Sequence, residues 1–139
     1  MSLVKFHHIN LTSAQVPTMT EFYGSVLEID EKTTGAAANR MTDEYAAPVT
    51  FLDADGVEIH LATMDLELGH RLKQAVNPLV RGHIAFRTDD LAAVKANLEK
   101  HGVPYSDYGV WSIANWHQIF FYDPAGNVVE VHQVVGDAG

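Results

Sequence analysis

Glu130 sits in Asn127-Val128-Val129-Glu130-Val131-His132, an apolar, β-branched run that reads as a strand. An ionised carboxylate in such a setting is costly unless it is exposed, protonated, paired or bound to a metal. Three histidines make the last option attractive. His8 in His8-Ile9-Asn10-Leu11 and His83 in His83-Ile84-Ala85-Phe86 occupy matching places in two similar segments, and His60 lies in a third apolar run. Neutral imidazoles with a carboxylate and no thiolate suit Fe, Mn, Zn, Ni or Co as a divalent ion. Such an ion acts as a Lewis acid on a carbonyl or enediolate, provided the protein leaves positions open for the substrate's oxygens. The expectation is a metal site of His8, His83 and Glu130, with His60 either a fourth ligand or a donor on the pocket wall. Glu130 is also the expected proton acceptor. Asn10, on the same strand face as His8, is expected to hydrogen-bond a substrate oxygen.

These residues need strands to hold them. Residues 3–12 alternate and are β-branched or aromatic, with His8, Asn10 and Thr12 on one face and His7, Ile9 and Leu11 on the other. This assigns His7 to the face opposite the site. Met19, Phe22, Tyr23, Val26 and Leu27 recur at helical spacing over residues 16–27. A short strand over 29–35 and a loop over 35–48 follow. Strands over 49–52 and 57–63 then flank Asp53-Ala54-Asp55-Gly56, a hairpin signal. A helix over 65–76 connects to the second half. There residues 82–87 read as a strand, Thr88-Asp89-Asp90 caps a helix carrying Leu91, Val94 and Leu98, and Gly102 ends it. A short strand begins at 103–105, and the closing hairpin, 118–122 with 127–134, turns on Asp123-Pro124-Ala125-Gly126-Asn127.

The second half therefore repeats the first. Aligning Gly56 with Gly126 lays His60 over Glu130, just as His8 lies over His83. Each half reads as strand, helix and three strands, offering one ligand-type residue on its first strand and one on its last. The expected organisation is one domain over 1–139, with modules 1–64 and 80–135 joined by a helical connection. Tyr105, Tyr108, Trp111 and Trp116 are candidates for an apolar pocket wall or for packing under a long loop. His70 and His101 read as solvated helix residues, His117 as a loop residue in a lid-like segment, and His132, on the face of Glu130, as lying at the pocket edge.

Composition narrows the function classes. Eighteen acidic against nine basic residues give a formal charge of −9, which argues against nucleic acid or an anionic membrane as partner. The absence of cysteine excludes disulfides, thiolate ligands and a cysteine nucleophile. No signal peptide and no membrane-length apolar run is evident, so the expected setting is cytoplasmic.

The pattern His8-Ile9-Asn10-Leu11, then Phe22-Tyr23-x-x-Val26-Leu27, Gly82-His83-Ile84-Ala85-Phe86 and Phe121-Tyr122-Asp123-Pro124-x-Gly126-Asn127-x-x-Glu130 resembles the vicinal oxygen chelate superfamily. That superfamily includes glyoxalase I, fosfomycin-resistance proteins, extradiol dioxygenases, methylmalonyl-CoA epimerases and bleomycin-binding proteins. The resemblance implies an α+β fold of two βαβββ modules forming a half-open mixed β-barrel around a divalent metal, commonly in a homodimer. It carries the ligand roles to His8, His83 and Glu130. His60 falls where glyoxalase I has a glutamate ligand and the epimerases a glutamine. Phe120 stands where extradiol dioxygenases and the glutathione-type fosfomycin enzymes have a tyrosine. Thr12 stands where bacterial glyoxalase I has an arginine that contacts glutathione. The implied activity is that of a glyoxalase-like isomerase or lyase on a small substrate chelating through vicinal oxygens, lactoylglutathione lyase being one case. The alternatives are an extradiol-type dioxygenase, a fosfomycin-type thiol transferase, or a small-molecule binding or resistance protein without catalysis.

Overall fold

The computed structural model describes residues 2–136. In chain order the elements are β1 (Lys5–Ser13), α1 (Val16–Ser25), β2 (Asp30–Glu31), β3 (Val49–Ala54), β4 (Val57–Thr63), α2 (Leu68–Leu72), β5 (His83–Arg87), α3 (Leu91–Lys100), β6 (Tyr105–Val110), β7 (Trp116–Tyr122) and β8 (Val128–Val134). All eight strands join one mixed sheet in the order β2-β3-β4-β1-β5-β8-β7-β6. β1 and β5 run antiparallel at its centre, and each pairs in parallel with the last strand of its own half, β4 and β8 respectively. The result is an α+β fold of two βαβββ units sharing one open sheet.

The turns explain the register. Asp55 and Gly56 both have positive φ, 54° and 91°, which suits a two-residue primed turn, and Asp53 Oδ1 accepts from the Gly56 amide at 2.8 Å. In the second hairpin Asp123 Oδ1 accepts from the Ala125 and Asn127 amides, each at 2.9 Å. Gly126 supplies the positive φ of 86° that this turn requires.

Side-chain alternation divides the sheet into two faces. On one, α1 packs Val16 against Leu52 and Leu61, while α3 packs Leu91 and Val94 against Ile119 and Val131. The opposite face holds two further clusters, Tyr45 with Leu79, Trp111 and Phe120, and Ala36 with Phe51, Ile113 and Trp116. Phe51 of β3 and Trp116 of β7 lie far apart in strand order. Their shared cluster means the sheet curls so that its two halves meet over an interior, the half-open barrel expected.

Several local expectations need correction. α1 ends at Ser25 rather than Leu27, and Phe22, Val26 and Leu27 are 50%, 62% and 56% exposed. Val16, Met19 and Tyr23 supply the buried stripe, leaving the other apolar positions on the flank. The strand over 29–35 shrinks to β2, two residues long. The connecting helix is only α2, halted where Lys73 turns left-handed at φ 57°. The largest correction concerns His7. The pairing of β1 with β5 slips between Phe6 and His8, a β-bulge. The extra residue lets His7 and His8 both face the interior, where strict alternation would have sent His7 outward.

Candidate metal centre

Four central strands lower ligand-type side chains into the barrel, among them His8 from β1, His60 from β4, His83 from β5 and Glu130 from β8. All four are at most 8% exposed. The registers bring them level, since Asn10 is paired with both His60 and His83, and Ala85 with Glu130. Ligand-type atoms of His8, His83 and Glu130 all lie within 4.8 Å of one another, and all three come from a single chain.

Hydrogen bonds behind these residues fix which atom each presents. His83 Nδ1 is 3.1 Å from the Pro78 carbonyl oxygen, an acceptor only, so Nδ1 carries the proton. His83 Nε2 then faces Glu130 Oε1 at 3.0 Å. A neutral ring in that pose sets two lone pairs against each other, so the gap calls for a cation, whether a proton or a metal ion. His8 Nε2 points at the same oxygen from 3.6 Å, and its Nδ1 is 2.8 Å from His7 Nδ1. Glu130 Oε2 accepts from His132 Nδ1 at 2.7 Å, while His132 Nε2 accepts from Arg87 Nε at 3.0 Å. Arginine only donates, so the tautomer of His132 is fixed. Trp116 stacks on the His132 ring at 4.0 Å and 8°, locking its plane.

The electrostatics agree with a cation site. Burial alone would raise the Glu130 carboxyl, but the neighbouring His8, the hydrogen bond from His132 and the nearby His83 outweigh it and hold Glu130 well below the ordinary carboxylate range. Burial, reinforced by the neighbouring His60, pushes His8 well down. An ionised carboxylate beside an unprotonated imidazole is the donor state a divalent metal needs.

His60 takes a different position. Its ring stacks on His8 at 3.7 Å and 17°, and its Nε2 donates to Glu58 Oε1 at 2.9 Å. Burial would raise Glu58. The hydrogen bond and charge of His60, with His7 and Lys32, prevail and bring it to about 2. Burial likewise lowers His60, partly offset by Glu58.

Above the three donors lies a cavity of about 40 Å³, whose wall includes Asn10, Arg40, His60, Trp111, Trp116 and Gln118. Of the four expected wall aromatics, the two tryptophans line it. Tyr108 packs behind Trp111 with its hydroxyl on the Val76 carbonyl, and Tyr105 packs with the α3 cluster. His132 is wholly buried behind Glu130 rather than at the pocket edge. His117 belongs to β7, not to a loop, and pairs with Asp107 at 2.7 Å. His70 and His101 are exposed, as their helical positions implied.

The sequence from residue 5 to residue 131 matches the family model described as Glyoxalase/Bleomycin resistance protein/Dioxygenase superfamily. The chain belongs to that superfamily. No curated protein matches the sequence. Among solved structures, a hypothetical protein from Bacillus halodurans C-125 is similar at TM-score 0.70 and 15% identity, with 99% of each chain covered. Methylmalonyl-CoA epimerase from Mycobacterium tuberculosis is similar at TM-score 0.68 and 20% identity, covering 98% of this chain and 92% of the other. A Streptomyces coelicolor methylmalonyl-CoA epimerase variant, in complex with 2-nitronate-propionyl-CoA, gives TM-score 0.65 and 21% identity over 97% of this chain and 100% of its own. At such identities the likeness speaks to the glyoxalase-like fold alone.

Sequence reading missed Arg87, Glu58 and Arg40. The first two carried a usable signal: Arg87 keeps the strand parity of His83, and Glu58 that of His60. Arg40 arrives from the loop, which has no such periodicity.

Proposed function

We propose that this superfamily member is a divalent-metal-dependent isomerase or lyase acting on a small substrate that chelates through two vicinal oxygens. The observation that carries the reading is the His83 Nε2 to Glu130 Oε1 approach at 3.0 Å, with Nδ1 already committed to Pro78. Those two atoms and His8 form a nitrogen, nitrogen and oxygen donor set that fits Fe, Mn, Zn, Ni or Co. An ion held there supplies Lewis acidity to the substrate's oxygens, acidifying the adjacent C–H.

The chain's own residues supply the rest. His132 and Arg87 orient Glu130, and Pro78 and His7 orient His83 and His8. Asn10 Oδ1 is buried on the cavity wall without a partner, which supports its role as a substrate contact. Glu130 is the proposed proton acceptor at the substrate carbon. A second candidate is favoured by the Glu58–His60 hydrogen bond. With Nε2–H donated to a carboxylate, His60 keeps Nδ1 as its lone-pair nitrogen, in the manner of a carboxylate-supported base. A homodimer belongs to the same reading, supported by the exposed apolar Phe22, Val26 and Leu27.

The test strips the protein with a chelator and returns each metal separately. Elemental analysis then gives the stoichiometry, followed by turnover on a panel of 2-oxoaldehyde hemithioacetals, catechols and epoxides. The expected result is one ion per chain, much weaker uptake in Glu130→Gln, and no turnover in that variant. His60→Gln should retain the metal, and its turnover decides between the two proton acceptors. A wild-type protein that takes up none of the metals, or a Glu130→Gln variant with full metal and full activity, overturns the reading.

A further inference from the structure

Among the described residues, five buried side-chain atoms have no hydrogen-bond partner: Asn10 Oδ1, Arg40 Nε, Trp111 Nε1, Trp116 Nε1 and Gln118 Oε1. All five belong to residues that line the cavity above His8, His83 and Glu130. Unpaired buried polar atoms are uncommon and each costs free energy, so their concentration in one wall marks a surface shaped for a polar occupant. Three of the five are of fixed polarity, because guanidinium and indole N–H groups donate and never accept. The two amides can turn to present either end. The wall therefore asks for acceptor oxygens.

Charge points the same way. Arg40 is anchored through Nη2, which donates to the carbonyls of Tyr45 at 2.9 Å and Ala47 at 2.5 Å, so its Nε remains to serve the cavity. The negative charge of Glu58 is answered by Lys32 at 3.4 Å, while His60 donates a hydrogen bond to its other oxygen at 2.9 Å. A divalent ion with the single carboxylate Glu130 leaves one positive charge, and Arg40 adds another. Size sets the last constraint: at about 40 Å³ the cavity holds only a few heavy atoms.

We propose that the site takes a small 2-oxo- or 2-hydroxycarboxylate. Its 2-oxygen and one carboxylate oxygen face His8, His83 and Glu130, and the other carboxylate oxygen accepts from Arg40 Nε and the indole N–H groups. This names the substrate class for the metal-dependent reading above and rests on that reading. It also explains why two indole nitrogens and a guanidinium are buried beside a metal-type donor set without protein acceptors.

Trp111 and Trp116 are the chain's two tryptophans, so fluorescence excited selectively at tryptophan reports this cavity. The experiment titrates pyruvate and L-lactate, with lactamide and 1,2-propanediol as uncharged counterparts, into zinc-loaded and metal-free protein. Fluorescence and calorimetry follow binding, and metal content is assayed in parallel. The acids should bind at least about tenfold more tightly than their neutral counterparts. Arg40→Gln should lose about tenfold in acid affinity, and Arg40→Lys should recover only part of it. Trp111→Phe keeps the ring and removes one donor, so it should weaken acid binding by calorimetry with metal content unchanged. Should Arg40→Gln fail to fold, the Trp111→Phe comparison carries the test. Neutral compounds binding as well as the acids, or acid affinity indifferent to both substitutions, overturns the proposal. Full zinc uptake without acid preference refutes this inference and leaves the metal reading standing. Acid binding that needs Arg40 in a protein taking up no metal upholds anion recognition and refutes the metal reading.

Discussion

Gly82 immediately precedes His83, and replacing it by alanine is the sharpest structural test of how the centre is held. A Cβ at Gly82 would run into the Asn10 carbonyl oxygen of β1 well inside the 3.0 Å limit of real Cβ contacts, and would also meet Asn10 C at 3.1 Å and Leu11 Cα at 3.3 Å. All three are backbone atoms, so no side chain can rotate away. Gly82 has no positive φ, which makes the cost purely steric. Relief needs the start of β5 to separate from β1 by on the order of 1 Å in a close-packed interior. Asn10 is the register partner of His83, so the separation falls at a proposed ligand. Metal donors tolerate only about 0.2 Å. Gly82→Ala is expected to lose about 1–3 kcal/mol of stability and about 10- to 100-fold in metal affinity. Urea denaturation and competition against a chromogenic chelator measure the two. Gly24→Ala is the control: its Cβ meets nothing within 4 Å. It lies in α1, where alanine should add about 0.5–1 kcal/mol. If Gly82→Ala behaves like Gly24→Ala in both assays, the close approach of β5 to β1 is not what positions His83.

Arg87→Met removes the donor that fixes His132 and hence the orientation of Glu130, so metal affinity should fall about 10- to 100-fold; unchanged chelator competition would show that the relay does not matter. The metal-free protein should lose stability as pH falls. Burial, with His132 and Arg87 nearby, puts His7 at about 4 against 6.5 unfolded, and His8 and His60 are lowered as well. The unfolded chain therefore binds protons first below pH 6.5, costing up to about 1.4 kcal/mol per pH unit for each such histidine. Glu58, present as a stabilising charge above 4.5, extends the loss toward pH 2. A urea midpoint constant between pH 7 and 5 would contradict this.

What could be read in the sequence was what strand periodicity carries. Alternation assigned His8, Asn10, His60, His83 and Glu130 to faces that prove to be interior, and the glycine-aligned repeat gave the sheet its two halves. The same rule failed at His7, because one inserted residue in β1 resets the alternation and nothing in Lys5-Phe6-His7-His8 announces it. It also overextended α1, since Phe22, Val26 and Leu27 have helical spacing but no sheet beneath them. Arg40 was beyond reach for a different reason. Loop residues have no period, and its position depends on the Arg40–Ile113 bridge between distant segments.

The repeat is most informative where it breaks. β4 and β8 each carry a carboxylate and an imidazole two residues apart and hydrogen-bonded to each other, Glu58 with His60 and Glu130 with His132. Their order is the same, but the β4 pair sits two residues closer to its hairpin glycine, so His60 rather than Glu58 lies over Glu130. In β8 the carboxylate stands with His8 and His83 and the imidazole supports it from behind. In β4 the imidazole stands beside His8 and the carboxylate is withdrawn toward Lys32. A faithful repeat would have brought two carboxylates to the centre, and two such anions would cancel the charge of a divalent ion. With one withdrawn, a divalent ion held at the proposed site would keep a net positive charge facing Arg40 and the unpaired indole donors. On the proposed reading, this two-residue offset between equivalent strands would leave a divalent ion only partly neutralised and its site in need of an anion.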